Sequence, residues 1–139
     1  MSNNKLSSGL EDYIEEIYIA DINGQTLKGA ELARKLNISR SSVSEALAKL
    51  VSKGLIKYES YGAISLTEIG ISEAKRVYNK HNILKNFFET ALNISPLEAS
   101  ENACKIEHII SQHLLNEIYN FTTFLNENPE ILDKYKQTK

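Results

Sequence analysis

Cys104, Glu107 and His108 stand at positions i, i+3 and i+4 of the stretch NACKIEHIIS, residues 102–111. Residues so spaced share one face of a helix. A thiol, a carboxylate and an imidazole therefore converge. Asp12 and Glu15 repeat the i, i+3 relation near the N-terminus, and His81 falls within a long central helical pattern. Together these donors suit a divalent transition metal of five or six coordination, or two neighbouring ions. A plainer reading competes at each position. The single cysteine fits a small buried hydrophobe. Asp12 and Glu15 fit ordinary first-turn helix charges, and His81 fits a core histidine with a satisfied ring. His113 has no partner at helical spacing and reads as surface. Spacing alone leaves both readings open.

The elements that must carry these residues are legible from periodicity. In residues 9–21, Leu10, Tyr13, Ile14, Ile17 and Tyr18 recur at helical spacing with carboxylates between them, and Asn23-Gly24 ends the run. Residues 26–54 hold a short helix carrying Leu27, Ala30, Leu32, Ala33 and Leu36. A tight turn follows at Asn37, then a second helix capped by Ser39 with Val43, Leu47 and Leu50 inward, stopped by Gly54. Two short helices on a tight turn make a helix-turn-helix. The runs LIKYE and AISLT flank a turn at Ser60 to Gly62 and read as a hairpin. A helix-turn-helix followed by a hairpin is a winged helix. Thr67 caps a long helix over 68–92, broken by Asn93 and Pro96; residues 97–125 read as further helix, and Pro129 starts a last short one. The expected fold is mainly α with a small β-hairpin. A winged helix-turn-helix domain over 1–72 precedes a helical metal-binding and dimerisation domain over 73–139.

Charge separates along the chain. The whole carries a net −2, yet residues 1–27 hold −4 and residues 28–57 hold +5. An acidic head beside a basic block points to cation binding next to anion binding. One cysteine forms no internal disulfide. The N-terminus has no apolar signal core and no run is long enough to span a bilayer, so a cytoplasmic protein is expected.

The basic block is the candidate nucleic-acid surface. A recognition helix reads base edges through its N-terminal residues while basic side chains hold phosphates. Here those positions are Ser39, Arg40, Ser41, Ser42 and Ser44. Lys49, Lys53 and Lys57 add phosphate contacts, and Tyr58 and Tyr61 bring the wing to the backbone. A charge of +5 over 30 residues implies modest affinity for one copy, so a homodimer spanning two half-sites of double-stranded operator DNA is expected. Winged helices also bind proteins, and a basic face can be merely solvated. One rival is a metal-independent winged-helix regulator sensing an organic ligand, a partner or redox state through Cys104. A second is an inverted zinc peptidase, since CKIEH has H-x-x-E-H spacing with Cys in place of the first His; that swap removes a required ligand.

The chain resembles the diphtheria toxin repressor family of metal-activated repressors, above all its short manganese transport regulator branch. The resemblance rests on EDYIEEIY at 11–18, the helix-turn-helix, SLTEIG at 65–70, KHNIL at 80–84 and ACKIEH at 103–108, in the family's order. It implies a metal-dependent repressor that binds operator DNA as a dimer and controls metal-uptake genes, not an enzyme. It implies metal ligands at Asp12, Glu15, His81, Cys104, Glu107 and His108. Longer members add an SH3-like domain, which this chain is too short to hold. Manganese-type members carry carboxylates at the positions of Asp12 and Glu15 and a glutamate at Cys104. Iron-type members carry methionine at Asp12 and cysteine at Cys104. A glutamate of the second iron-type site is Lys85 here. The chain therefore mixes the two types. Hard oxygens favour Mn²⁺; the thiolate shifts preference toward Fe²⁺, Co²⁺ or Zn²⁺. Mn²⁺ or Fe²⁺ is the expected cofactor, with Zn²⁺ and Co²⁺ able to bind in vitro.

Overall fold

In a computed structural model the described residues are 6–58 and 62–139. Seven helices and two strands run in the order α1 (Ser8–Ile22), α2 (Gly29–Leu36), α3 (Arg40–Ser52), β1 (Ile56–Tyr58), β2 (Ile64–Leu66), α4 (Glu68–Leu92), α5 (Pro96–Ile106), α6 (Gln112–Glu127) and α7 (Pro129–Lys136) among those residues. The chain forms two compact units, Met1–Val77 and Tyr78–Lys139, with the division inside α4.

In the first unit each helix begins and ends for a local reason. The Ser7 hydroxyl accepts from the Leu10 N–H and starts α1. Gly24, at φ +72°, follows its end. Tyr13, Ile14, Ile17 and Tyr18 are buried along α1, as their spacing predicts. The Glu31 carboxylate accepts from the Lys28 N–H at the head of α2. Asn37 takes the left-handed conformation, φ 55° and ψ 51°, that turns α2 into α3. Ser39 then caps α3, whose Val43, Ala46, Leu47 and Leu50 are buried.

The wing departs from expectation at one residue. Leu27 is not in α2; it is buried, and its carbonyl accepts from the Ile64 N–H at 2.8 Å as an isolated antiparallel bridge. Its apolar side chain satisfied the helical pattern, but its backbone serves as a third rung beside the hairpin. The hairpin itself is antiparallel, with Ile56 opposite Leu66, Lys57 opposite Ser65 and Tyr58 opposite Ile64.

Thr67 joins wing and helix. Its hydroxyl donates to the Gly54 carbonyl at 2.6 Å and accepts from the Gly70 N–H at 3.1 Å. A Cβ on Gly70 would lie 1.9 Å from the Leu55 carbonyl oxygen, so the first turn of α4 packs directly on that backbone. Arg76 on α4 pairs with the buried Glu11 of α1 at 2.7 Å.

The second unit packs α4, α5 and α6 around Leu84, Ala103, Ile110 and Leu115. Asn93, at φ 55°, lies beyond the end of α4, and Ser95 caps α5 with Pro96 in its first turn. Residues 97–125 fall in two helices, α5 and α6. The Ser111 hydroxyl accepts from the Leu114 N–H and opens α6, so α5 stops just before Glu107. Among the described residues no helix is long and apolar enough to cross a membrane.

Candidate metal centre and nucleic-acid face

The second unit brings three predicted ligands together. His81 on α4, Cys104 on α5 and Glu107 at its C-terminal end offer donor atoms all within 4.8 Å of one another. The Cys104 Sγ lies 3.7 Å from His81 Nδ1, and a Glu107 oxygen lies 3.6 Å from the same nitrogen. His108 Nε2 is 3.8 Å from the other Glu107 oxygen. Glu107 keeps helical dihedrals, φ −56° and ψ −29°, and its N–H donates to the Ala103 carbonyl at 2.9 Å. The i, i+3, i+4 face therefore survives although α5 formally ends at Ile106.

Glu107 carries the decisive feature. It is 1% exposed, and neither carboxylate oxygen has a hydrogen-bond partner among the described residues. A buried carboxylate without hydrogen bonds is costly, and its usual compensation is a paired charge or a metal. Nitrogen, sulfur and oxygen donors surround the same point. A divalent ion fits that set. Asp12 and Glu15 lie one turn apart on α1 in the first unit, the first half-buried and the second buried. Lys85 on α4 pairs with Glu89 at 2.6 Å.

The described candidate nucleic-acid residues of α3 and the wing lie on the surface of the first unit. Arg40, Ser41, Ser44, Lys49, Lys53 and Lys57 are exposed. Arg40, Ser41 and Ser44 line a cleft of about 520 Å³ with Tyr58, Lys28, Gly29 and Ala30. Lys28, already part of the basic block, and Gly29 precede and open the first helix of the pair, and line the same cleft as the start of the second. Ser39 and Ser42 are engaged locally: the Ser39 hydroxyl accepts from the Ser42 N–H and lies 2.9 Å from the Ser42 hydroxyl. Tyr61 lies outside the described residues.

Comparison with known proteins decides the family. The iron dependent repressor metal binding and dimerisation domain matches residues 67–136, and the corresponding N-terminal DNA binding domain matches residues 5–64. The chain belongs to the iron-dependent repressor family. It is 41% identical over 114 residues to an uncharacterised HTH-type transcriptional regulator of Methanocaldococcus jannaschii, covering 81% of this chain and 91% of that one. It is 28% identical over 130 residues to the HTH-type transcriptional regulator MntR of Lysinibacillus sphaericus, covering 94% and 93%. Among solved structures, a manganese-dependent transcriptional repressor in complex with manganese superposes with a TM-score of 0.77 at 28% identity, over 83% of this chain and 53% of that one. The manganese regulator SloR gives 0.73 at 27% identity, over 83% and 54%. The chain thus spans about half the length of these solved repressors. Iron-dependent repressors of this kind are regulators, so the peptidase rival for CKIEH falls.

Proposed function

We propose that this iron-dependent repressor family member is a cytoplasmic metal sensor. Loaded with Mn²⁺ or Fe²⁺, it binds double-stranded operator DNA as a homodimer and represses metal-uptake genes. One observation carries the metal half: the buried Glu107 carboxylate, without hydrogen bonds, beside His81 and Cys104. Asp12, Glu15 and His108 complete the ligand set by resemblance. A bound divalent cation supplies the positive charge that offsets these carboxylates.

Residues 1–72 are assigned to DNA reading and 73–139 to metal binding and dimerisation. Arg40, Ser41 and Ser44 face base edges, with Ser39 and Ser42 shaping that turn. Lys49, Lys53, Tyr58 and Tyr61 contact the backbone. An apolar groove of about 300 Å³ lined by Phe87, Leu92, Phe121, Leu125, Ile131 and Tyr135 supports dimerisation through the second domain. In the ligand set that the resemblance implies, Asp12 and Glu15 belong to the DNA-reading domain and the other ligands to the second; on that set, metal and DNA binding share one equilibrium, and each tightens the other by the same factor.

Anaerobic titration with Mn²⁺ and Fe²⁺ tests this, read by retardation of duplexes selected from a random library by the metal-loaded protein. Binding that appears with metal and disappears with chelator is expected. Selected duplexes that bind equally well in chelator, with no calorimetric heat from either ion, would establish the metal-independent regulator instead.

A further inference from the structure

We propose that Ser100 is a positioning residue for the metal centre, orienting the His81 ring so that Nδ1 faces the ion while Nε2–H is held. The inference rests on the metal reading above and adds a residue to it. The two ring nitrogens of His81 have different surroundings. Nδ1 lies 3.7 Å from the Cys104 sulfur and 3.6 Å from a Glu107 oxygen. Nε2, across the ring, lies 3.3 Å from the Ser100 hydroxyl. A neutral imidazole keeps one lone pair and one N–H. When Nδ1 gives its lone pair to a cation, the proton stays on Nε2, and Nε2–H donates a hydrogen bond to the Ser100 hydroxyl oxygen. Such partners of a ligating histidine fix its orientation and raise its basicity.

The placement is a product of two helices. Ser100 precedes Cys104 by four residues on α5, so hydroxyl and thiol project from one face. Ala103, wholly buried on α5, packs into one core with Leu84 of α4. His81 is one turn before Leu84 on α4. Its side chain is 11% exposed, so water competes poorly for the ring.

Co²⁺ is the probe. In the Co²⁺-loaded wild type, the ring N–H of His81 should appear as a hyperfine-shifted proton that exchanges slowly with deuterated water. In Ser100→Ala that proton should exchange too fast to be seen. Affinity for Co²⁺ and Mn²⁺ should fall about tenfold, the lower end for loss of such a partner. Alanine is the better helix former, so the variant keeps its fold. Ser100→Thr, which retains a hydroxyl, should restore both readouts. Unchanged affinity and a persistent slow proton in the alanine variant overturn the inference, as does a threonine variant as weak as alanine. A wild type that takes up neither Co²⁺ nor Mn²⁺ defeats the metal reading itself, which is a separate result.

Discussion

Arg76 on α4 holds the carboxylate of Glu11 on α1 at 2.7 Å, with the Glu11 side chain only 4% exposed. The same guanidinium reaches Glu73, one turn earlier on α4, at 3.2 Å. Burial works against the Arg76 charge, but hydrogen bonds to Glu11 and Glu73, with the attraction of both, raise its pKa above the ordinary value overall. The pair ties the long helix to the helix that bears Asp12 and Glu15. Arg76→Met keeps the apolar stem but takes the cation from a buried carboxylate. Arg76 is 38% exposed, so screening trims the cost of a broken buried pair to about 2 kcal/mol. Thermal denaturation should show a midpoint lower by roughly 5–10 °C. An unchanged midpoint would mean that Glu11 is held by other groups.

Glu107→Gln separates stability from sensing. In the metal-free protein the wild-type carboxylate is buried without hydrogen bonds. Removing its charge should stabilise the metal-free protein by about 1 kcal/mol and so raise its melting temperature. The same change should abolish the further stabilisation that Mn²⁺ gives the wild type. Thermal scans with and without Mn²⁺ check both signs. A variant that loses metal-free stability contradicts the assignment of Glu107 as a costly buried ligand without hydrogen bonds.

Cys104→Glu should change which ion is preferred. A thiolate favours softer divalent ions and a carboxylate favours harder ones. The ratio of Mn²⁺ to Co²⁺ affinity should rise, and the sulfur-to-cobalt charge-transfer band of the wild type should vanish. An identical ranking of ions in both proteins would remove Cys104 from the ligand set.

On the reading head, Arg40→Ala and Lys49→Ala should fail differently. Arg40 lines the cleft at the start of α3. Its loss should weaken binding to the selected operator by about 1–3 kcal/mol and relax base preference there. Lys49 is exposed near the end of α3. Its loss should weaken all duplexes alike and lower the salt slope by about 1. Metal affinity measured without DNA should be the same in both variants. Equal losses on every sequence for Arg40→Ala would move that residue to the phosphate contacts.

Much of this molecule is local and so could be read from the chain. Helix starts at Ser7, Ser39, Ser95 and Ser111 depend on a hydroxyl three residues before an N–H. Stops near Gly24, Asn37, Gly54 and Asn93 depend on backbones that tolerate positive φ. The shared face of Cys104, Glu107 and His108 follows from helical pitch, and the order of motifs pointed to the family that comparison established. Leu27 was misplaced because a hydrophobic residue satisfies a helix pattern and a strand pattern equally. Only its bridge to Ile64, distant in sequence, tells them apart.

The sequence by itself determined most of the elements, the caps at Ser39 and Thr67, the separation of acidic and basic segments, and which residue types could bind an ion. Tertiary structure alone decided that Glu107 is sealed from water with both oxygens lacking hydrogen bonds, and that His81 meets Cys104 through Nδ1 and Ser100 through Nε2. The reason is range. Spacing along one helix is set by its 3.6-residue turn. Which side chain of α4 meets which of α5 depends on how the two helices pack, and a small residue such as Ala103 beside Leu84 acts on that packing only once the fold has formed.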